Sequence, residues 1–286
     1  MTARLPPIII LFLAIMLAWV PARAADSFFV TSDGVRLHVI EAGPRQGNPV
    51  VLVPGWTMPA WIFQAQIAAL SRTYRVLALD PRGQGDSDIP ASGYDHIRRS
   101  RDIAELLANL GDRPVVLVGW SLGVLDCLAY VQQFGDNQLA GLVLVDNSIG
   151  EDPAPIPSRN PPRAGPRLPR EVTMRRFVQG MFTRSPGEAY LAQLTATALR
   201  TPPDAAAQLL SYPVPRTYWR DAVYSVRKPV LYAVRPRFLG QADNLQAKHP
   251  MAETAVFETA GHALFVDQPE QFNALLADFI RRRAVW

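Results

Sequence analysis

From residue 27 onward the chain alternates between two hydrophobic rhythms. Short apolar runs rich in β-branched residues, at 50–53, 75–79, 115–118 and 142–145, are interleaved with stretches of helical spacing near 60–71, 96–110 and 121–134. Continuous apolar strands separated by amphipathic helices predict a parallel sheet covered on both faces. Ahead of them, residues 27–43 read as two strands around an Asp33-Gly34 turn. The alternation breaks after Asp146. Prolines at 153, 155, 157, 161, 162, 166 and 169 exclude a helix or a central strand there. Helical spacing returns near 171–182, 186–199 and 203–210, and at Pro229 the α/β rhythm resumes. Strands are expected at 229–234 and 255–259, with helices at 239–248 and about 269–283. Residues 147 to about 226 are therefore an insertion, a cap at the carboxyl ends of the strands, where open α/β sheets bind ligands.

The N-terminus has a different pattern. Residues 8–20 form an uncharged apolar run behind Arg4, and Ala22-Arg23-Ala24 follows as an A-x-A cleavage site. As a helix the run spans roughly 20 Å, short of the ~30 Å hydrocarbon core of a bilayer. Residues 1–24 are thus expected to be a cleaved signal peptide, leaving 25–286 as an exported, periplasmic or secreted, domain. An uncleaved membrane anchor is the alternative. With 286 residues, 49% of them hydrophobic, the remainder suits one large domain carrying an insertion. The 29 basic side chains exceed the 25 acidic ones by too little to point to nucleic acid. Seven arginines between 159 and 184 make the insertion basic, a feature read first as compositional bias. The lone Cys127 excludes a disulfide framework and a Cys-rich zinc site, and its place behind Ser121 predicts a buried, inert thiol. No P-loop, HExxH or GxGxxG is present, so neither a metal nor a cofactor is expected.

The chemistry centres on Gly119-Trp120-Ser121-Leu122-Gly123, which follows an apolar strand and opens a helix. In G-x-S-x-G the small residues on either side let the backbone turn sharply and push the serine hydroxyl into the open. A serine at neutral pH needs a general base. Of four histidines, His38 lies in the first hairpin, His96 at a helix start and His249 in a surface-like Lys-His-Pro loop. His262, in Ala260-Gly261-His262-Ala263 after the last expected strand, falls on the same edge of the sheet as Ser121 and is the candidate base.

Together with V-P-G-W at 53–56, D-P-R-G-Q-G-D-S at 80–87 and L-V-L-V-D at 142–146, this order of residues resembles the α/β-hydrolase superfamily over nearly all of the mature chain. The resemblance implies a mostly parallel eight-stranded sheet with helices on both faces and a helical, Pro-rich cap after the sixth strand. It also implies an oxyanion hole from the backbone amides of Trp56 and Leu122, with the 80–87 loop holding backbone. Members of the family often carry the third, acidic residue just after the strand that follows the cap, a place that here falls at or near Arg237. An arginine cannot accept the imidazole N–H. Two carboxylates remain, Asp146 at the end of the sixth strand, where haloalkane-dehalogenase-like members carry theirs, and Asp243 further on. A rigid strand end positions a carboxylate better, which favours Asp146. The implied activity is that of a serine esterase acting on a small-molecule ester. The same fold leaves open lactone or carbon–carbon bond hydrolysis, cofactor-free haloperoxidase or perhydrolase chemistry, or a non-catalytic ligand-binding role. Dehalogenation and epoxide opening use an aspartate where this chain has Ser121.

Overall fold

A computed structural model describes residues 24–154 and 168–286. The expected signal segment, apart from Ala24, and the prolines at 155–166 lie outside the described residues. β1 (Ala25–Val30) and β2 (Arg36–Ala42) form the antiparallel hairpin around Asp33-Gly34. β3 (Pro49–Val53), β4 (Arg75–Leu79), β5 (Val115–Trp120), β6 (Leu139–Val145), β7 (Val230–Val234) and β8 (Ala252–Val256) are mutually parallel, and the sheet order is β1-β2-β4-β3-β5-β6-β7-β8. β3 and β5 to β7 are buried along their whole length, which is why they read as unbroken apolar runs.

Alternate side chains of these strands feed two cores. Val51, Val53, Leu77 and Leu117 point to one face, where α2 (His96–Ala108), α3 (Leu122–Phe134), α7 (Arg216–Ser225) and α8 (Leu239–Lys248) pack. Val50, Leu52, Val76 and Val116 point to the other, covered by α1 (Gln64–Leu70), the short α9 (Leu264–Asp267) and α10 (Pro269–Arg283). Between β6 and β7 the chain also forms α4 (Arg170–Gln179), α5 (Glu188–Ala198) and α6 (Pro203–Gln208). These three lean on the loops at the carboxyl ends of the strands: Trp56 Nε1 donates to Ala206 O at 2.7 Å and Thr201 Oγ1 to Gly83 O at 2.7 Å.

The pattern misplaced three features. α7, which lay unrecognised inside the expected insertion, packs on α3 through Trp219, Ala222, Val223 and the following Val226. Their i, i+3, i+4, i+7 spacing is a helical signal in plain view. β8 ends at Val256, not 259, because its partner β7 runs out: Val234 pairs with Val256, and Phe257 makes the closing bond to Val234 O before turning into the core. His249 is not at the surface. It is 3% exposed, donates from Nε2 to Val226 O at 2.9 Å and accepts at Nδ1 from Met251 N.

Candidate active site

The turn from β5 into α3 places Ser121 at φ 56°, ψ −120°, a region that L-residues rarely occupy. The turn closes because its neighbours are glycines. A Cβ on Gly123 would lie 2.3 Å from Val53 O, and one on Gly55 would lie 2.9 Å from Ser121 Cβ. The helix start and the loop after β3 are therefore pressed together, with the serine between them. Neither the Trp56 nor the Leu122 amide donates a hydrogen bond within the described residues. Both are free to serve an outside acceptor, the role the oxyanion hole requires.

Ser121 Oγ lies 2.8 Å from His262 Nε2, and His262 Nδ1 lies 2.6 Å from Asp146 Oδ2. With Asp146 accepting at Nδ1, the neutral ring presents an unprotonated Nε2 to the hydroxyl. His262 is held from several sides. Its carbonyl accepts from Trp120 Nε1 at 2.9 Å, and the flanking Gly261 amide donates to Asp267 Oδ2 at 2.6 Å. Asp267 Oδ2 also takes the Thr183 amide, which ties the histidine loop to the chain after α4.

Asp146 is 1% exposed and stands at φ 49°, one residue beyond β6. Asp243 lies on the exposed side of α8 and makes no hydrogen bond to His262. Of the two candidate carboxylates, the structure thus brings only Asp146 to the histidine. The segment directly after β7, set aside in the sequence for want of a carboxylate, carries arginines. Arg237 covers the ring of Phe238, with its guanidinium carbon 4.8 Å from the centroid. Arg235, passed over in the sequence, donates from Nε to Asp146 Oδ2 at 2.6 Å and from its backbone amide to Oδ1 at 3.0 Å.

The remaining histidines stand apart from this row. Burial alone would lower the pKa of His38. The hydrogen bonds and charges of Asp80 (2.7 Å from Nδ1) and Asp26 (3.1 Å from Nε2) outweigh it and hold the pKa above the ordinary imidazole value. His96 is buried, which lowers its pKa. Cys127 is buried beneath the elbow, and desolvation pushes its thiol well up, as expected for an inert group. Asp80 also accepts from the amides of Ala60 and Asp86, so the 80–87 loop does hold backbone.

Comparison with known proteins agrees with this architecture. Residues 50–275 match the family model described as the alpha/beta hydrolase family, and the chain belongs to that family. It is 39% identical over 116 residues to a non-heme chloroperoxidase of Streptomyces lividans, a match covering 40% of this chain and 42% of that protein. It is 36% identical over 91 residues to a soluble epoxide hydrolase of Corynebacterium sp. (strain C12), covering 32% of this chain and 31% of the relative. These matches span less than half the length of the relatives themselves. Over nearly its full length the fold superposes on a Burkholderia cenocepacia protein assigned as an aryl esterase, with a TM-score of 0.78 and 27% identity, covering 90% of this chain and 98% of the other.

Proposed function

We propose that this protein is a carboxylic ester hydrolase working through an acyl-enzyme on Ser121. The observation that carries the reading is the unbroken row Ser121 Oγ, His262, Asp146, at 2.8 and 2.6 Å, beside two unpaired amides. Ser121 Oγ attacks the ester carbonyl while His262 Nε2 takes its proton. The carbonyl oxygen becomes an oxyanion between the Trp56 and Leu122 amides, each worth roughly 3 kcal/mol of barrier lowering. The tetrahedral centre then expels the alcohol, which leaves with the proton from His262. Water repeats the sequence on the acyl-enzyme and releases the acid. Throughout, Asp146 steadies the imidazolium.

The acyl group would lie beside Trp56, whose side chain lines a cleft of about 410 Å³ that is mostly hydrocarbon (Met174, Phe177, Ala206, Leu210) but also includes Arg170; Ser121 and His262 are not part of its wall. The stretch shared with a non-heme chloroperoxidase favours a second outcome for the same acyl-enzyme, in which hydrogen peroxide replaces water and a peracid is released. The apolar N-terminal run supports export of the chain after cleavage at Ala24. Intact-mass measurement of native material beginning at Ala25 checks that part.

The decisive experiment is labelling with a fluorophosphonate alongside turnover of nitrophenyl esters. The wild type should be labelled on Ser121, and Ser121→Ala should lose both labelling and turnover while keeping its melting temperature. Labelling elsewhere, or turnover surviving in Ser121→Ala, rejects the assignment.

A further inference from the structure

A buried polar chain runs from the loop that carries the Trp56 amide to the helix that opens with Leu122, and has no part in the proton transfers. Gln84 Nε2 donates to Gly55 O at 2.9 Å and to Met58 O at 2.8 Å. Those carbonyls stand on either side of the Trp56–Thr57 segment, so one side-chain amide grips both ends of the turn that carries the Trp56 N–H. The turn is strained. Thr57 is β-branched, wholly buried and at φ 59°, and its Oγ1 has no partner among the described residues.

On its other side Gln84 Oε1 accepts from Arg99 Nη1 at 2.9 Å, and Arg99 donates from Nε and Nη2 to Asp126 Oδ2 at 3.0 and 2.6 Å. Arginine has only donors, so its partner on Gln84 must be the oxygen; that leaves the NH₂ for the two carbonyls. Gln84, Arg99 and Asp126 are each at most 2% exposed. Asp126 sits on α3 four residues after Leu122, one turn below the second amide. The chain therefore starts at the turn that carries one of these amides and ends on the helix that carries the other, in a buried interior where each bond holds its geometry tightly.

We infer that Gln84 is a positioning residue: the Gln84–Arg99–Asp126 relay sets the separation of the Trp56 and Leu122 amides and with it the fit of the oxyanion. The inference rests on the ester-hydrolase reading. Its physical basis is the narrow tolerance of the site, since donors must lie about 2.7–3.1 Å from the oxyanion and a displacement of about 1 Å costs on the order of 100-fold in rate. Substrate in its ground state makes weaker use of those amides than the transition state does, so the effect belongs in kcat rather than KM.

Two variants separate positioning from plain structural support. Gln84→Met keeps the volume and removes both donors. Gln84→Glu keeps a partner for Arg99 but turns acceptor oxygens toward two carbonyls; it carries the test if the methionine variant fails to fold, because the buried arginine stays paired. Each is measured, below its melting temperature, for kcat and KM on nitrophenyl butyrate and for the affinity of an alkyl boronic acid. Ser121 Oγ adds to the boron, and a tetrahedral adduct oxygen then stands in the oxyanion site. The expected result is a fall in kcat of about 10- to 100-fold, a KM within about threefold of wild type, and boronate affinity lost by the same factor as kcat. A folded variant with wild-type kcat and boronate affinity overturns the relay, as does a loss of kcat with boronate affinity untouched. A wild type that neither hydrolyses esters nor is labelled by fluorophosphonate overturns the ester reading and the relay together. An active wild type with fully active Gln84 variants overturns the relay alone.

Discussion

Asp146 Oδ2 accepts two short hydrogen bonds at once, from His262 Nδ1 and from Arg235 Nε, each at 2.6 Å. The Arg235 backbone amide takes the other oxygen, so both oxygens of this buried carboxylate are fixed by a residue at the end of the neighbouring strand. Strand β7 ends in the cation that locks the acid in place, while β6 supplies the acid, Asp146, the carboxylate favoured for its place at a rigid strand end.

From this follows a graded set of mutants. Asp146→Asn should keep the fold and lower kcat on the order of 10⁴-fold, as in the well-studied triad case. Arg235→Ala removes the Nε bond but keeps the backbone amide on Oδ1, so kcat should fall about tenfold and no further. Asp243→Asn, on the exposed side of α8, should match wild type. Steady-state kinetics with melting curves on the three proteins checks the ranking. Equal losses in Asp146→Asn and Asp243→Asn would refute it.

Gly123→Ala should be among the most damaging single-methyl additions in the protein. Its Cβ would meet Val53 O at 2.3 Å and Pro54 O at 2.8 Å, both backbone atoms of a packed strand end that cannot swing aside. Overpacking of this kind costs about 1–3 kcal/mol, and the loop that moves carries Trp56. A lower melting temperature together with a lower kcat is expected. Gly34→Ala in the first hairpin meets no atom within 4 Å, so its only cost is the strain of φ 81° and its activity should be unchanged.

Acyl-chain preference should report on the cavity beside Trp56. Each methylene buried there is worth about 0.8 kcal/mol, or roughly fourfold in kcat/KM. Nitrophenyl esters should therefore improve from acetate upward until the space is filled. Ala207→Trp, on the cavity wall, should flatten that rise and leave acetate turnover intact. A flat series in the wild type would remove the cavity from substrate binding.

His38 predicts a pH dependence of stability that is separate from catalysis. It faces Asp80 and Asp26, with Asp86 close by, and its folded pKa is raised. The folded state therefore holds the proton more tightly than the unfolded chain. The resulting stabilisation is complete below the unfolded imidazole pKa of about 6.5 and is lost as pH rises through the higher folded value. Denaturant melts of wild type and His38→Gln should differ most on the acid side and converge at alkaline pH. A constant gap across the range would count against the linkage.

Much of this protein is written in local pattern. Strands β3 to β7, helices α1 to α3 and α10, and the Gly119–Gly123 elbow are legible because backbone propensity, side-chain alternation and turn chemistry act over a few residues. Ser121 is legible for the same reason, lying directly after β5, and His262 because it sits in the Ala-Gly-His-Ala loop that follows the last strand. What the tertiary structure decided is which distant groups meet. Asp146 and His262 are 116 residues apart in the chain, and Arg235 reaches Asp146 across 89; both contacts depend on the register of β6 against β7, which no short window of sequence encodes. The same holds for His249, buried by a carbonyl 23 residues away, and for the end of β8, set by the length of its partner. It holds too for Gln84, an unremarkable residue in a tight loop. Only folding sets it between the loop after β3 and the helix that begins at the serine, because a buried polar group must find its partners wherever the packing brings them.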